Sequence, residues 1–181
     1  MALTRKQVYT IDDIYALPEG QRAELIDGRI YNMAPPNMIH QRIVTRLSST
    51  IVSHIQQKHG SCEVFVAPFA VFLNNDDKNY VEPDISVICD KNKLDDRGCH
   101  GAPDWIIEII SPSTERMDYG IKLFKYRAAG VREYWIVNPI NQTVNVFDFK
   151  SNQKTGQYSF DSDISSCIYD ELTIRIADFL S

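Results

Sequence analysis

Apolar residues recur at helical spacing over one long stretch of the chain. Between Asn37 and His59, the residues Ile39, Ile43, Val44, Leu47, Ile51 and Ile55 fall three and four apart, with Gly60 just past the end. This is the pattern of an amphipathic helix that lays one stripe against a core. A shorter helix is predicted at IDDIYAL, with Thr10 as N-cap and Pro18 and Gly20 as its end. A third is predicted from about Thr114 to Ala129, after the break Ser111, Pro112, Ser113 and before Gly130.

Strand signals fill the intervals. In RAELIDGRIYNM, Asp27 and Gly28 sit between two short apolar runs and predict a hairpin. CEVFVAPFAVFL and NYVEPDISVICD, separated by NNDDK, read as a second hairpin, and the polar, glycine-bearing segment from Lys91 to Pro103 reads as a surface loop. PDWIIEIISPST, REYWIVNP, QTVNVFDFK, QYSF and ELTIRI follow as further strands. The order is hairpin, helix, several strands, helix, strands. It makes the chain α/β or α+β, a central mixed sheet flanked by helices.

One position breaks the apolar pattern. In WIIEII, Trp105, Ile107 and Ile109 share one face of the strand and Ile106, Glu108 and Ile110 the other, so neither face is solvated. An ionised carboxylate there needs a cation or strong donors. A salt bridge to Lys122, Arg132 or Arg175 would satisfy it, and spacing does not choose among them. Asp84 is embedded in the same way in VEPDISVI, directly after Pro83, which marks a strand edge, start or bulge. Two neighbouring strands would then each bring a carboxylate to one place, an arrangement a divalent cation stabilises. Oxygen-only ligands favour magnesium or manganese over zinc.

Composition narrows the setting. With 181 residues, 44% hydrophobic and 24% charged, the chain suits one domain over residues 1–181 with a sizeable core. No apolar run is long enough to span a bilayer and the N-terminus lacks the apolar region of a signal peptide, so a cytoplasmic protein without membrane contact is expected. The four cysteines are scattered without a CxxC pair, which is read as reduced thiols rather than zinc site or disulfide framework. A net charge of −5 argues against a dedicated nucleic-acid coat protein but not against an enzyme that meets nucleic acid briefly. The stretch from Ser113 to Arg132 runs against the overall charge, with Arg116, Lys122, Lys125, Arg127 and Arg132 opposing Glu115 and Asp118.

Five blocks in order, AELIDGRI, MIHQRIVTRL, VEPDISVICD, GAPDWIIEIISPST and IKLFKYRAAGVREYWIVNP, resemble the bacterial restriction-endonuclease family of the Uma-two type, whose members are similar to PD-(D/E)XK nucleases. The likeness covers roughly residues 24–139, with an N-terminal helix and hairpin over 10–33 and C-terminal strands over 140–181. It implies a restriction-endonuclease-like fold and a metal-dependent endonuclease, a hydrolase, acting on DNA. It makes Asp84 and Glu108 metal ligands, with the backbone carbonyl of Ile109 as a further one and Mg2+ or Mn2+ as cofactor. The nuclease lysine two residues after the glutamate is here Ile110. The resemblance moves that cation to Lys122 on the following helix, with Tyr126 one turn on. It also brings in Glu24 at an early acidic position, where composition alone equally reads a solvated residue before the Asp-Gly turn. It gives an accessory role to His40, which periodicity places in the apolar stripe of the long helix, the usual place of a core histidine. Cutting two strands calls for two sites, which makes a homodimer attractive. Ile110 and the acidic charge also admit another reading, a nuclease scaffold that only binds nucleic acid or protein, and a buried Glu108 ion pair in a structural protein is the third.

Overall fold

The computed structural model describes residues 7–74, 76–111 and 114–180. Pro112 and Ser113 of the expected helix-starting break, and Asn75 of the expected turn, lie outside the described residues. In chain order the elements are α1 (Ile11–Tyr15), β1 (Ala23–Ile26), β2 (Arg29–Asn32), α2 (Met38–Gln57), β3 (Glu63–Val66), β4 (Val71–Phe72), β5 (Ile85–Ile88), β6 (Leu94–Asp95), β7 (Gly98–His100) and β8 (Trp105–Ile109). There follow α3 (Glu115–Met117), a π-helical turn (Asp118–Lys122), α4 (Leu123–Ala129), β9 (Glu133–Asn138), β10 (Thr143–Asp148), β11 (Gly156–Ser159), β12 (Ile164–Ser165) and β13 (Thr173–Ile174).

Six strands form the central sheet in the order β11-β10-β9-β8-β5-β3. Only β8 and β9 run parallel; the other neighbours are antiparallel. The sheet is therefore mixed, as the element order required. The connection between its parallel pair is the α3–π–α4 helical rod, ended by Gly130 in the left-handed region at φ 98°. On one face, Ile43, Leu47, Ile51 and Ile55 of α2 pack with Trp105, Ile107, Ile109 and Trp135, and residues from Phe160 to Ile176 close that core. On the other, Ile106, Ile110, Tyr134 and Ile136 pack against Tyr126 and Val131 of the rod and its end, with Ile26 of the first hairpin. The alternation expected in β8 is thus observed, and Glu108 is on the side of the rod.

Local chemistry explains the ends. Asn37 caps α2, its Oδ1 accepting the His40 N–H at 2.9 Å. Asp27 and Gly28 turn the β1–β2 hairpin with φ of 51° and 70°, the positive pair a two-residue turn requires.

Three expectations are corrected. The run CEVFVAPFAVFL divides at the cis Ala67–Pro68 bond: β3 pairs with β5, while β4 joins a separate three-stranded sheet, β4-β7-β6. The expected surface loop over Lys91 to Pro103 supplies the rest of that small sheet, because Gly98 and Cys99 are buried against β4. A side chain at Gly98 would meet the Ala70 carbonyl oxygen at 2.2 Å. Nor are all the thiols reduced: Cys62 and Cys89 form a disulfide, leaving Cys99 and Cys167 free. The Glu63–Ile88 pairing sets these two cysteines opposite one another across β3 and β5, with Cα atoms 3.9 Å apart, a proximity sequence spacing does not show. The bridge closes a 27-residue separation. Its reduction is expected to lower the unfolding free energy by about 3 kcal/mol. Thiol titration of unfolded, unreduced protein should find two of the four cysteines; finding four would show the pair open.

Candidate active site

Asp84 lies one residue before β5 and Glu108 one residue before the end of β8. The two strands are antiparallel with Ile85 opposite Ile107, so the next pair outward is Asp84 and Glu108. Their convergence follows from register alone. The Asp84 N–H points to Oε2 of Glu108 at 3.4 Å, and Oδ2 of Asp84 accepts the Ile109 N–H at 2.8 Å. His40, in the first turn of α2, places Nε2 3.0 Å from the same Oδ2. An ionised carboxylate only accepts, so Nε2 is the donor. Its Nδ1 is buried and has no hydrogen-bond partner among the described residues.

From the opposite side the rod delivers a cation. Lys122, 4% exposed, places Nζ 2.8 Å from Oε2 of Glu24 and 2.9 Å from Oε1 of Glu108, with Oδ1 of Asp118 at 3.5 Å. Tyr126 donates its hydroxyl to the same Oε1 of Glu108 at 2.8 Å. The partner of Glu108 is therefore Lys122; Arg132 pairs with Asp104 and Arg175 with Asp163. Glu24 is not a solvated residue before a turn but 1% exposed, its other oxygen accepting the Glu82 N–H at 3.0 Å.

Charge does not balance here. Four carboxylates, from Glu24, Asp84, Glu108 and Asp118, line the pocket with one ammonium, which Glu24, Glu108 and Asp118 approach directly. Burial drives the Glu108 carboxyl well above its ordinary range; Lys122 opposes this, and Asp118, Asp84 and Glu24 add to it. Burial pushes Asp118 up to about 6, with Lys122 and a hydrogen bond from Thr114 opposing. Lys122 stays cationic: burial disfavours its charge, but Glu108, Glu24 and Asp118 outweigh it and hold its pKa above the usual value.

The structure thus gathers Asp84, Glu108, Ile109, Lys122, Glu24 and His40 around one pocket of about 240 Å³. Ile110, at the usual lysine position, is 4% exposed and belongs to the core. One member of the pocket is not among the sequence candidates. Asp118 enters the sequence pattern only as a charge opposing the basic residues of its segment, yet it is 2% exposed and lines the pocket. Its four-residue spacing from Lys122, on a helix whose lysine was already assigned to the site, was the available signal.

The family model described as "Uma2: Putative restriction endonuclease" matches residues 11–168. The chain belongs to the Uma2 family. The crystal structure of a putative nuclease belonging to DUF820, from Anabaena variabilis, superposes with a TM-score of 0.76 at 26% identity over 94% of this chain and 96% of that one. A curated relative, the uncharacterized protein slr1290 of Synechocystis sp., is 29% identical over 128 residues, 70% of this chain and 66% of its own length. Family and structural neighbour support a nuclease-like function on this fold.

Among the described residues of this Uma2 chain, no group of three or more His, Cys, Asp or Glu side chains is set to hold a metal ion. The donor chemistry nonetheless fits magnesium, which typically takes one or two carboxylates and keeps several waters. The short bonds of the described residues engage Oδ2 of Asp84 and Oε1 of Glu108, so the second oxygen of each is left with at most a long contact. The excess of carboxylates favours an added cation. No helix among the described residues is long and apolar enough to cross a membrane.

Proposed function

We propose that this Uma2 chain is a magnesium- or manganese-dependent endonuclease that hydrolyses phosphodiester bonds in DNA. The observation that carries the reading is the meeting of Asp84 and Glu108, from facing positions of two paired strands, in a pocket that Lys122 enters from the rod. Asp84 and Glu108 would hold the ion, with the carbonyl of Ile109 as a further ligand. When bound, such an ion polarises a phosphate oxygen and makes a bound water more acidic.

The protein's own groups do the rest. His40 and the Ile109 N–H fix the orientation of Asp84 through Oδ2. Tyr126 and Lys122 fix Glu108 through Oε1. Lys122 supplies the positive charge that Ile110 cannot, orienting the attacking water and stabilising charge that builds on the phosphate oxygens. A lysine reaches one spot from different backbone positions because its charge sits on a long flexible stem. Glu24 holds the ammonium from the far side. A homodimer presenting two such pockets would cut both strands, and a cytoplasmic setting would give access to DNA. The Cys62–Cys89 disulfide runs against a reducing compartment.

The test is conversion of supercoiled plasmid to nicked and linear forms with Mg2+ or Mn2+, beside EDTA. Cleavage that needs the metal is expected. The burial of Ile110 in the core favours a second reading, a nuclease scaffold that binds nucleic acid or protein without cutting. Absence of cleavage with either metal, together with retained DNA binding, would select it.

A further inference from the structure

Asp118 has no assigned role, and its surroundings give it one. It sits at the start of the only π-helical turn among the described residues, between α3 and α4. Such turns occur mostly as single bulges and frequently at functional sites. The turn is supported by a side chain from the sheet: the Tyr134 hydroxyl donates to the Asp118 carbonyl at 3.3 Å. The Asp118 carboxylate is held by Thr114, yet its Oδ1 is buried and without a hydrogen-bond partner among the described residues. It points at Nζ of Lys122 from 3.5 Å, too far for a good hydrogen bond. Lys122 spends its short bonds on Glu24 and Glu108.

We infer that Asp118 is a positioning residue, the acceptor that takes over Lys122 when Glu108 is committed to a divalent cation. This rests on the metal-dependent reading of Asp84 and Glu108. In that state Lys122 faces a second positive charge and shares its Glu108 oxygens with it. An ammonium has three donors, and Oδ1 of Asp118 is the buried acceptor that stands ready for the one released. With Glu24 and Asp118 holding it, Lys122 stays in the pocket instead of being expelled. The π turn puts aspartate and lysine on one side of the rod with the aspartate oxygen kept open.

The test is calorimetric titration of MgCl2 into the wild type, Asp118→Asn, Lys122→Met and the double variant, with circular dichroism to verify folding. Asp118→Asn should weaken Mg2+ binding about tenfold, the usual scale for a residue supporting a metal site from behind. In the Lys122→Met background the same change should alter it less than about twofold, because Asp118 acts through the lysine. Turnover of a DNA substrate should fall in Asp118→Asn with KM unchanged, and Asp118→Glu should recover part of both losses. Unchanged Mg2+ affinity in Asp118→Asn overturns the inference. Equal weakening in both backgrounds also overturns it, since it would make Asp118 a ligand in its own right. No Mg2+ uptake by the wild type, or uptake that survives Glu108→Gln, instead removes the metal site itself and this inference with it.

Discussion

Glu108→Gln and Asp84→Asn are each expected to lower metal-dependent nicking at least about a thousandfold, roughly 4 kcal/mol of lost transition-state stabilisation. Neither change is expected to harm the fold. Glutamine keeps the shape of Glu108, and its amide oxygen still accepts from Tyr126 and Lys122, the partners 2.8 and 2.9 Å away. It also removes one buried carboxyl from a pocket that three others share, so the melting temperature without metal should stay level or rise. Asparagine at position 84 still offers an oxygen to the Ile109 N–H. What both variants lose is the negative charge that a hard cation requires. Plasmid nicking at matched protein concentration, beside thermal melts with and without Mg2+, separates loss of chemistry from loss of structure. Cleavage by both variants at the wild-type rate would reject these two residues as ligands.

The parts of this site that could be read in advance were those that break a local rule. Glu108 stands out because both faces of its strand are apolar, and Asp84 because Pro83 announces a strand start beside it. The long helix was legible from its period, and the hairpin from Asp27–Gly28. What escaped depends on contacts made through space. Which of Lys122, Arg132 and Arg175 meets Glu108 is decided by the rod crossing from β8 to β9, and no spacing along the chain encodes that. The burial of Glu24 needs the first hairpin to lie against Glu82 and the rod. The small sheet β4-β7-β6 was hidden because its strands are two or three residues long and two of them lie in a polar, glycine-bearing segment. Asp118 looked solvated because charge counting along a helix ignores which side is buried, and a π turn has no sequence period of its own.

Lys122→Met should separate the enzyme from both other readings of the chain. Methionine fills much of the same apolar path without the charge, so what is removed is chiefly the ammonium that Glu24, Glu108 and Asp118 share. Taking one partner out of a buried ion pair costs about 3–5 kcal/mol, because the remaining charges stay desolvated and face one another. For a chain of this size that is a fall in melting temperature on the order of 10 °C. The enzyme reading makes a second demand. The ammonium and a divalent ion compete for Glu108, so the variant should bind Mg2+ more tightly than the wild type. Saturating Mg2+ should then return a large part of the lost stability, about 2.7 kcal/mol when its concentration is a hundred times Kd. It should not restore cleavage, since the ammonium assigned to orient the water is gone and Ile110 stands at the usual lysine position. A purely structural ion pair predicts the same initial fall with no recovery on adding Mg2+. A nuclease scaffold with a degraded site, which only binds nucleic acid or protein, predicts no cleavage by the wild type and no Mg2+ uptake that Glu108→Gln abolishes. A melting temperature unmoved by the substitution would contradict every account in which Lys122 balances the buried carboxylates.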